Sequence, residues 1–583
     1  MYVRMLSLIE RILVCGTRCY LALVLIIGCL FSPHIEFAAR KEICDWTPLL
    51  VLISALVVCA LCVLLYAVQS MSARLRARQL RVCETLRVRL REHFVLVAVA
   101  SVVLLFLAQL IVIHGAWFYS GWDIEFITNM DIPERSYFSA YPNQLFLAGT
   151  FRILAELSRY LGVYPPYVFL LMGSSLCVCI SIFLTALIAY KLMAPAHAYG
   201  VLLLAILLIG CNPWFLIPYS DTYAMPFVVI PFFVMSYCRP RFLRAFFVVF
   251  FVLIGMFIKP TVIFVGLTIG LFALQRLASG ALVRGVCAGD GSASSGLAGS
   301  AWSRGGFARG VQARGVLATK VLVCVVAACL AGPCAYAIKA RVCARITPEL
   351  VNLDSNRTFG ITHFLMMGTN PTSFGSFSYD DVVLSFTCAN ASERTAVNLG
   401  TWKSRLADLG ARGYIALLGR KSLSNYMDGS FGWNNEGDFV KEIIGDNEYL
   451  LRWFGIENTS ESASESASEN TSNSQLTASI EPFCYLAQIL WFITIFGVLA
   501  CPYKQQNLNA RNAWISQSTN CMMIAILMLS MFLMIFECRA RYLFLYTPLF
   551  VILAMSGYAR LFSLGARVFS NALSCKKRSC AHE

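Results

Sequence analysis

Stretches of roughly 17 to 25 predominantly apolar residues recur along this chain, and most of its charged residues are gathered between them. At 1.5 Å of rise per residue, such a stretch is what an α-helix needs to cross about 30 Å of hydrocarbon. Charged residues make up 14% of the chain and hydrophobic ones 58%, against about 25% charged in an ordinary soluble domain. The pattern excludes a water-soluble enzyme and a secreted disulfide scaffold. It also excludes an outer-membrane barrel, whose strands alternate in polarity. The expected fold class is an all-α polytopic membrane protein.

Reading the runs in order predicts about twelve spans, near residues 19–35, 48–69, 94–114, 166–190, 199–217, 222–237, 245–258, 260–275, 318–338, 483–501, 520–536 and 542–558. The seventh and eighth are short and parted only by Lys259-Pro260, so a single broken helix there would invert everything after it. Charge tests the parity. With the N-terminus inside, 27 Lys and Arg fall in inner segments and 8 in short outer ones, leaving aside the long 339–481 segment. The bias places both termini in the cytoplasm of a multi-pass plasma-membrane protein. It also accounts for the net charge of +15 without a nucleic-acid partner. The first run reads as a signal-anchor helix, because further spans follow it.

These spans divide the chain. Residues 1–93 form a two-helix extension with a basic loop. Residues 94–338 form a transmembrane core with an outer loop at 115–165 and a Gly, Ser and Arg-rich cytoplasmic insert at 277–317. An extracytoplasmic domain follows at 339–456, expected to be a mostly helical cap because 393–427 has helical periodicity. A Ser/Glu-rich linker at 457–481 cannot bury a core, and 482–583 adds three helices and a basic tail. The triplets at Asn356, Asn390, Asn458 and Asn470 match the glycosylation pattern at the level chance gives in so Ser-rich a region.

Most of the 23 cysteines lie inside apolar runs as small packing residues. Cys59 and Cys62, like Cys177 and Cys179, have ligand-like spacing without companion His or Cys. Cys343 and Cys388 are the one pair considered for a disulfide. His114 and His363 read as structural histidines. No Walker loop or zinc-protease motif is present, which argues against nucleotide hydrolysis.

Candidate chemistry lies outside the membrane. The first outer loop carries Gly121-Trp122-Asp123-Ile124-Glu125, then Asp131, then Tyr141-Pro142-Asn143-Gln144. A helix over 143–161 follows, with Leu147, Phe151, Leu154, Leu157 and Leu161 on one face and Arg152, Glu156 and Arg159 on another. It is expected to lie in the interface. The predicted topology brings Asp221, Lys259, Glu537, Arg539 and Arg541 to the same side. Charges beside apolar spans are costly unless paired or used, so a structural ion-pair network is the plain alternative. Carboxylates facing cations at a membrane surface suit sugar transfer from a lipid phosphate. One carboxylate acts as general base or metal ligand, and the cations stabilise the departing phosphate.

The order of these elements resembles the GT-C superfamily of polytopic glycosyltransferases that use polyprenyl-phosphate sugars. It runs from an Asp in the first outer loop through an interfacial helix, Tyr219-Ser220-Asp221 and Gly255-Met-Phe-Ile-Lys259-Pro-Thr to Glu537-Cys-Arg-Ala-Arg541-Tyr542. It is similar to the protein O-mannosyltransferase and aminoarabinose transferase group. Tyr141-Pro142-Asn143-Gln144, His363-Phe-Leu-Met-Met-Gly368, Phe377-Ser-Tyr-Asp380-Asp381-Val and Asp428-Gly-Ser-Phe-Gly-Trp433-Asn-Asn-Glu436-Gly437 resemble, more closely, a Gram-positive and actinobacterial group of membrane glycosyltransferases. The likeness spans about 94–558, so two spans precede it.

That resemblance implies a catalytic carboxylate at Asp123, with Glu125 and Asp221 as further carboxylates. It implies donor-phosphate contacts from Lys259, Arg539, Arg541 and Tyr542, and substrate contacts from Tyr141, Asn143, Asp428, Trp433 and Glu436. A divalent metal, Mg or Mn, would sit on Asp123 and Asp221 if one is used. Relatives often show Asp-Glu or Asp-X-Asp where this chain has Asp123-Ile124-Glu125, which leaves Glu125 a second ligand or merely interfacial. The expected partners are the bilayer, a polyprenyl-phosphate sugar and a glycan or protein acceptor in the bacterial cell envelope. The rival expectations are a transporter or flippase of lipid-linked precursors, and a non-catalytic assembly protein.

Overall fold

The computed structural model describes residues 2–37, 41–129, 135–289, 304–346, 353–433, 440–456, 482–503 and 513–579. Asp131, Glu436, residues 290–303 of the insert and the linker with Asn458 and Asn470 lie outside the described residues.

Helices dominate. The chain opens with α1 (Tyr2–Phe31), α2 (Lys41–Glu92) and α3 (Phe94–Ala116). Strand β1 (Phe118–Ser120) leads into α4 (Trp122–Thr128), α5 (Arg135–Ala140) and α6 (Leu145–Leu161). Next come α7 (Pro166–Leu192), α8 (Pro195–Ala205), α9 (Ser220–Tyr237), α10 (Arg241–Ile258), α11 (Ile263–Gly289) and α12 (Arg304–Cys343). The segment after α12 holds α13 (Ile361–Met367), α14 (Tyr379–Phe386), α15 (Ala391–Tyr426), β2 (Val440–Ile443) and α16 (Glu448–Trp453). The chain ends with α17 (Pro482–Ala500), α18 (Ala513–Ile535), α19 (Arg541–Phe544) and α20 (Thr547–Ser579).

Among the described residues nine helices are long and apolar enough to cross a membrane, in α1, α2, α3, α7, α10, α12, α17, α18 and α20. The other three expected spans coincide with shorter or interrupted helices. The span at Pro195–Gly210 ends in a π-helical turn at Ile206–Gly210. Helix α9 carries Pro226 and Pro231, each removing a backbone donor. The apolar part of α11 runs only to Arg276.

Helices α10 and α11 form a hairpin. A Cβ on Gly266 would stand 2.8 Å from Val252, and one on Gly255 2.9 Å from Val262. A continuous helix would separate residues 252 and 266 by about 21 Å. Elsewhere, glycine lets helices touch backbone to backbone: a Cβ on Gly497 of α17 would meet the Ala554 carbonyl of α20 at 2.7 Å.

Helix α1 packs one face against the bundle and leaves Leu8, Ile12, Leu23, Ile26 and Leu30 exposed on the other. Thr17 Oγ1 donates to the Met523 carbonyl at 3.2 Å, and Gly28 abuts Met427. Lower on α1, the buried Glu10 accepts from Asn520 Nδ2 at 2.5 Å and Gln275 Nε2 at 3.1 Å, joining α1, α18 and α11.

The 353–456 segment is helical, as its periodicity predicts, but it is more than a cap. Helix α15 kinks at Gly410 (φ 57°), and its second half descends among the spans. Tyr426 Oη pairs with Ser530 Oγ at 2.6 Å, five residues before the end of α18, and its carbonyl accepts from Trp491 Nε1 at 2.8 Å, nine residues into α17. These positions lie about 8 and 14 Å below the helix ends. The ribbon of β1 and β2, antiparallel with Phe118 opposite Ile443, ties the first loop to the same segment. Cys343 and Cys388 are both free thiols, so the disulfide considered for them does not form.

Helix α6 departs from expectation in its buried face. Leu147 and Phe151 are enclosed, but Leu157 and Leu161 are exposed, while Ala148, Gly149, Ala155 and Ser158 face inward. The small residues decide this, because Gly149 lies directly on the Val342 backbone of α12, where a larger side chain would not fit.

Candidate functional site

Four interruptions of helix meet at one end of the bundle. Gly121 precedes α4, placing Asp123 in its first turn. Tyr219 is extended (φ −133°, ψ 168°) just before α9, whose first turn holds Asp221. Lys259 is extended (φ −140°, ψ 110°) because Pro260 disfavours the helical conformation in the residue before it. Residues 536–540 link α18 to α19, which Arg541 opens.

Asp221, only 1% exposed, is the hub. Lys259 Nζ lies 3.0 Å from Oδ1 and 3.2 Å from Oδ2, and Arg541 Nε lies 3.4 Å from Oδ2. Tyr219 joins this hub to the first loop. Its hydroxyl donates to Asp123 Oδ2 at 2.7 Å, while its ring lies 4.6 Å from the Arg541 guanidinium and 5.7 Å from the Lys259 ammonium. The Tyr542 ring covers Lys259 at 4.2 Å, and Trp214 flanks Arg541 at 5.7 Å. Cations over aromatic faces in a desolvated setting gain about 2 kcal/mol.

A second pair borders the first. Arg539 Nε lies 3.1 Å from Glu537 Oε1, and its guanidinium stands 5.1 Å from the Phe377 ring. Phe377 lies 5.7 Å from Trp122, the residue before Asp123. Tyr141 completes the surround. Its phenol is pushed above the usual range by burial, and then by the negative charges of Asp123 and Glu537, with Arg539 opposing. Tyr137, stacked on Phe126 at 4.9 Å, is raised likewise by burial and by Asp123.

The 536–540 link is clamped from the 353–456 segment. Lys421 Nζ donates to the Phe536 carbonyl at 2.7 Å and to Gly368 at 2.8 Å. Cys538 N donates to the Gly375 carbonyl at 2.9 Å. A Cβ on Gly368 would stand 2.6 Å from the Ile535 carbonyl, so only glycine admits this approach. Lys421 and Gly375 stand in no motif read from the sequence, whereas Gly368 and Tyr219 stand inside His363-Phe-Leu-Met-Met-Gly368 and Tyr219-Ser220-Asp221 without having been given roles of their own.

Asp123, Asp221, Lys259, Arg541, Tyr542, Glu537, Arg539 and Tyr141 are therefore brought together. The remaining candidates are not. Glu125 lies two residues beyond Asp123, about 200° around a helical turn, so the two carboxylates do not share a face. Asn143 is exposed, whereas the neighbouring Gln144 is buried. Asp428 is occupied by its own turn, accepting from Ser430 N at 2.8 Å, Ser430 Oγ at 2.6 Å and Gly432 N at 2.7 Å. Trp433 donates to the Phe454 carbonyl at 2.7 Å and packs edge-on against Trp214. His114 is exposed on α3. His363 is wholly buried, its Nδ1 2.7 Å from Ser385 Oγ, and burial lowers its pKa to about 4.

Asp221 does not fit as a ligand for the divalent ion expected on it and Asp123, because both its oxygens face cations. Asp123 gives one oxygen, Oδ2, to Tyr219, and the described residues contain no group of three His, Cys, Asp or Glu placed to hold a metal.

Residues 8–560 match the model of a family described as conserved hypothetical integral membrane protein. The chain belongs to that family. It is thus an integral membrane protein, consistent with its apolar helices. Searches of curated proteins and of solved structures give no match.

Proposed function

We propose that this protein is an inverting membrane glycosyltransferase that moves a sugar from a polyprenyl phosphate to an envelope acceptor at the outer face. The observation that carries this reading is Tyr219. One ring joins a carboxylate in the first loop to a buried carboxylate shared by two cations, gathering residues from four distant parts of the chain.

In this reaction Asp123 takes the proton of the acceptor hydroxyl as its oxygen attacks the anomeric carbon. The bond from that carbon to the phosphate oxygen breaks, and its electron pair leaves on the polyprenyl phosphate. Lys259 and Arg541 stabilise the charge growing on that phosphate. Asp221 keeps both cations oriented, and Tyr219 orients Asp123. No step passes through a metal.

The reading includes twelve passes with both termini inside. The end of α10 meets the end of α12 through Phe257 and Tyr336 at 5.1 Å, and the starts of α7 and α17 meet the site-end segments through Tyr167 and Phe483. At the opposite end Tyr190 and Tyr199 donate to the carbonyls of Arg91 and Leu90. The hairpin of α10 and α11 keeps the alternation.

Asp123→Asn tests the mechanism. It keeps size and removes the base, so transfer should fall by about a hundredfold or more with membrane insertion unchanged. Cells lacking the protein should accumulate a lipid-linked sugar that names the donor. Full activity of Asp123→Asn overturns the reading. The specific observation for transport instead is Glu10, a buried carboxylate at the end of the bundle away from the site. If transport is the function, Glu10→Gln abolishes it and Asp123→Asn does not.

A further inference from the structure

Three residues other than glycine adopt a left-handed backbone among the described residues: Trp122 (φ 61°), Phe374 (φ 54°) and Phe431 (φ 56°). Each is a bulky aromatic, for which this conformation costs on the order of 1 to 3 kcal/mol. Phe431 is enclosed. Phe374 packs under Arg420 at 5.0 Å in the turn that clamps the 536–540 link. Trp122 differs, because it remains 38% exposed immediately before Asp123.

Its neighbours come from two other parts of the chain. Phe377 tilts against it at 37° with ring centroids 5.7 Å apart, and Arg539, held by Glu537, covers Phe377. The mouth beside the first-loop carboxylate thus holds two aromatic rings edged by a guanidinium and a carboxylate. We propose that Trp122 and Phe377 form a platform for a pyranose ring of the acceptor, so that the acceptor is a glycan and not a protein side chain.

A pyranose presents one face of C–H groups and a rim of hydroxyls. The C–H face packs on an aromatic ring, burying apolar area at little entropic cost to a rigid side chain. The rim needs polar partners in fixed geometry, and the Arg539–Glu537 pair, held at 3.1 Å, borders Phe377 on that side. A serine or threonine side chain has no such face. Trp122 immediately precedes Asp123 at the start of α4, so a ring stacked on it sits beside the loop that carries the carboxylate. A tryptophan serving only as an interfacial anchor needs neither a strained backbone nor a partner from the 353–456 segment.

Calling the platform an acceptor subsite rests on the transfer reading, but binding can be measured without it. The full-length protein, labelled with 5-fluorotryptophan in lipid nanodiscs, gives a fluorine signal for residue 122, identified by its loss in Trp122→Phe. Methyl α-D-mannopyranoside, methyl β-D-galactopyranoside and a capped Ala-Thr-Ala peptide are titrated against it. At least one glycoside should shift that signal saturably and the peptide should not. Phe377→Ala should weaken the apparent affinity about tenfold, with the remaining tryptophan signals unmoved as the check on folding.

Silence toward both glycosides, a response to the peptide alone, or a signal that follows lipid composition and ignores sugar overturns the platform. Repeating the titration on Asp123→Asn separates the two claims. Glycoside binding by a variant that is still fully active keeps the platform and removes the transfer mechanism. Loss of activity without any glycoside response does the reverse.

Discussion

Asp221 and its two cations should behave as one energetic unit, which a double-mutant cycle can measure. Asp221→Asn removes the carboxylate from between Lys259 and Arg541, whose side chains are only 12% and 5% exposed. Stranding buried charge in this way typically costs about 3 to 5 kcal/mol. Lys259→Met is milder, because Arg541 still faces Asp221. The loss is that of a hydrogen bond to a charged group, about 1.5 to 3 kcal/mol. In the double variant no stranded ammonium remains, although Arg541 still lacks its carboxylate, so its stability should lie near that of Asp221→Asn and well short of the sum of the singles. The expected coupling is about 1.5 to 3 kcal/mol. Unfolding free energies from titration of detergent-solubilised protein with dodecyl sulfate would give it. Additivity within about 0.5 kcal/mol would show that the two side chains do not form a coupled pair.

Tyr219→Phe keeps the ring beneath Arg541 and removes the hydroxyl from Asp123, so transfer should fall about tenfold, less than in Asp123→Asn; equal rates in Tyr219→Phe and the parent would show that the hydroxyl does not orient the base. Glu10→Ala removes the charged acceptor of the Asn520 Nδ2 and Gln275 Nε2 hydrogen bonds, at about 1.5 to 3 kcal/mol each, and should lower the unfolding free energy by more than Glu10→Gln does. Because burial lowers the His363 pKa to about 4 from an unfolded value near 6.5, the unfolded chain binds the extra proton between those values. Stability should therefore be full above about pH 6.5 and decline toward pH 4, and thermal melts of His363→Asn should lose that part of the pH dependence.

What was legible in the sequence was whatever broke an apolar run. Asp123, Asp221, Lys259 and Arg541 announce themselves because a charge beside hydrocarbon demands a reason, and all four meet. The second half of α15 could not be read this way. Lys421, Ser422, Ser424 and Asn425 have the composition of a solvated helix face, yet all are buried. Lys421 and Tyr426 find partners more than a hundred positions away, at Phe536 and Ser530. Asp428 entered only through the resemblance of its motif, and a motif does not show that its oxygens are taken up by the backbone and hydroxyl two to four residues on. The buried face of α6 depended on Gly149, whose close approach to α12 no periodicity of large residues announces.

The helix interruptions explain why these charges can coexist with a membrane. Non-helical backbone near the hydrocarbon is tolerated only where protein or an aqueous cavity surrounds it. Here Gly121, Tyr219, Lys259 and the 536–540 link are all interrupted at one end of the bundle. Each interruption leaves backbone groups without helical partners, and each carries or adjoins a charged side chain. A single interruption would be an expensive defect. Four together are sustainable: their charges satisfy one another through the ion pairs and the Tyr219 hydroxyl, and the backbone of the 536–540 link finds Lys421 and Gly375 as partners that lipid cannot supply. Helix-breaking residues and charged residues therefore belong to one device, and replacing Pro260 to restore helix at Lys259 should disable the site as effectively as removing the lysine itself.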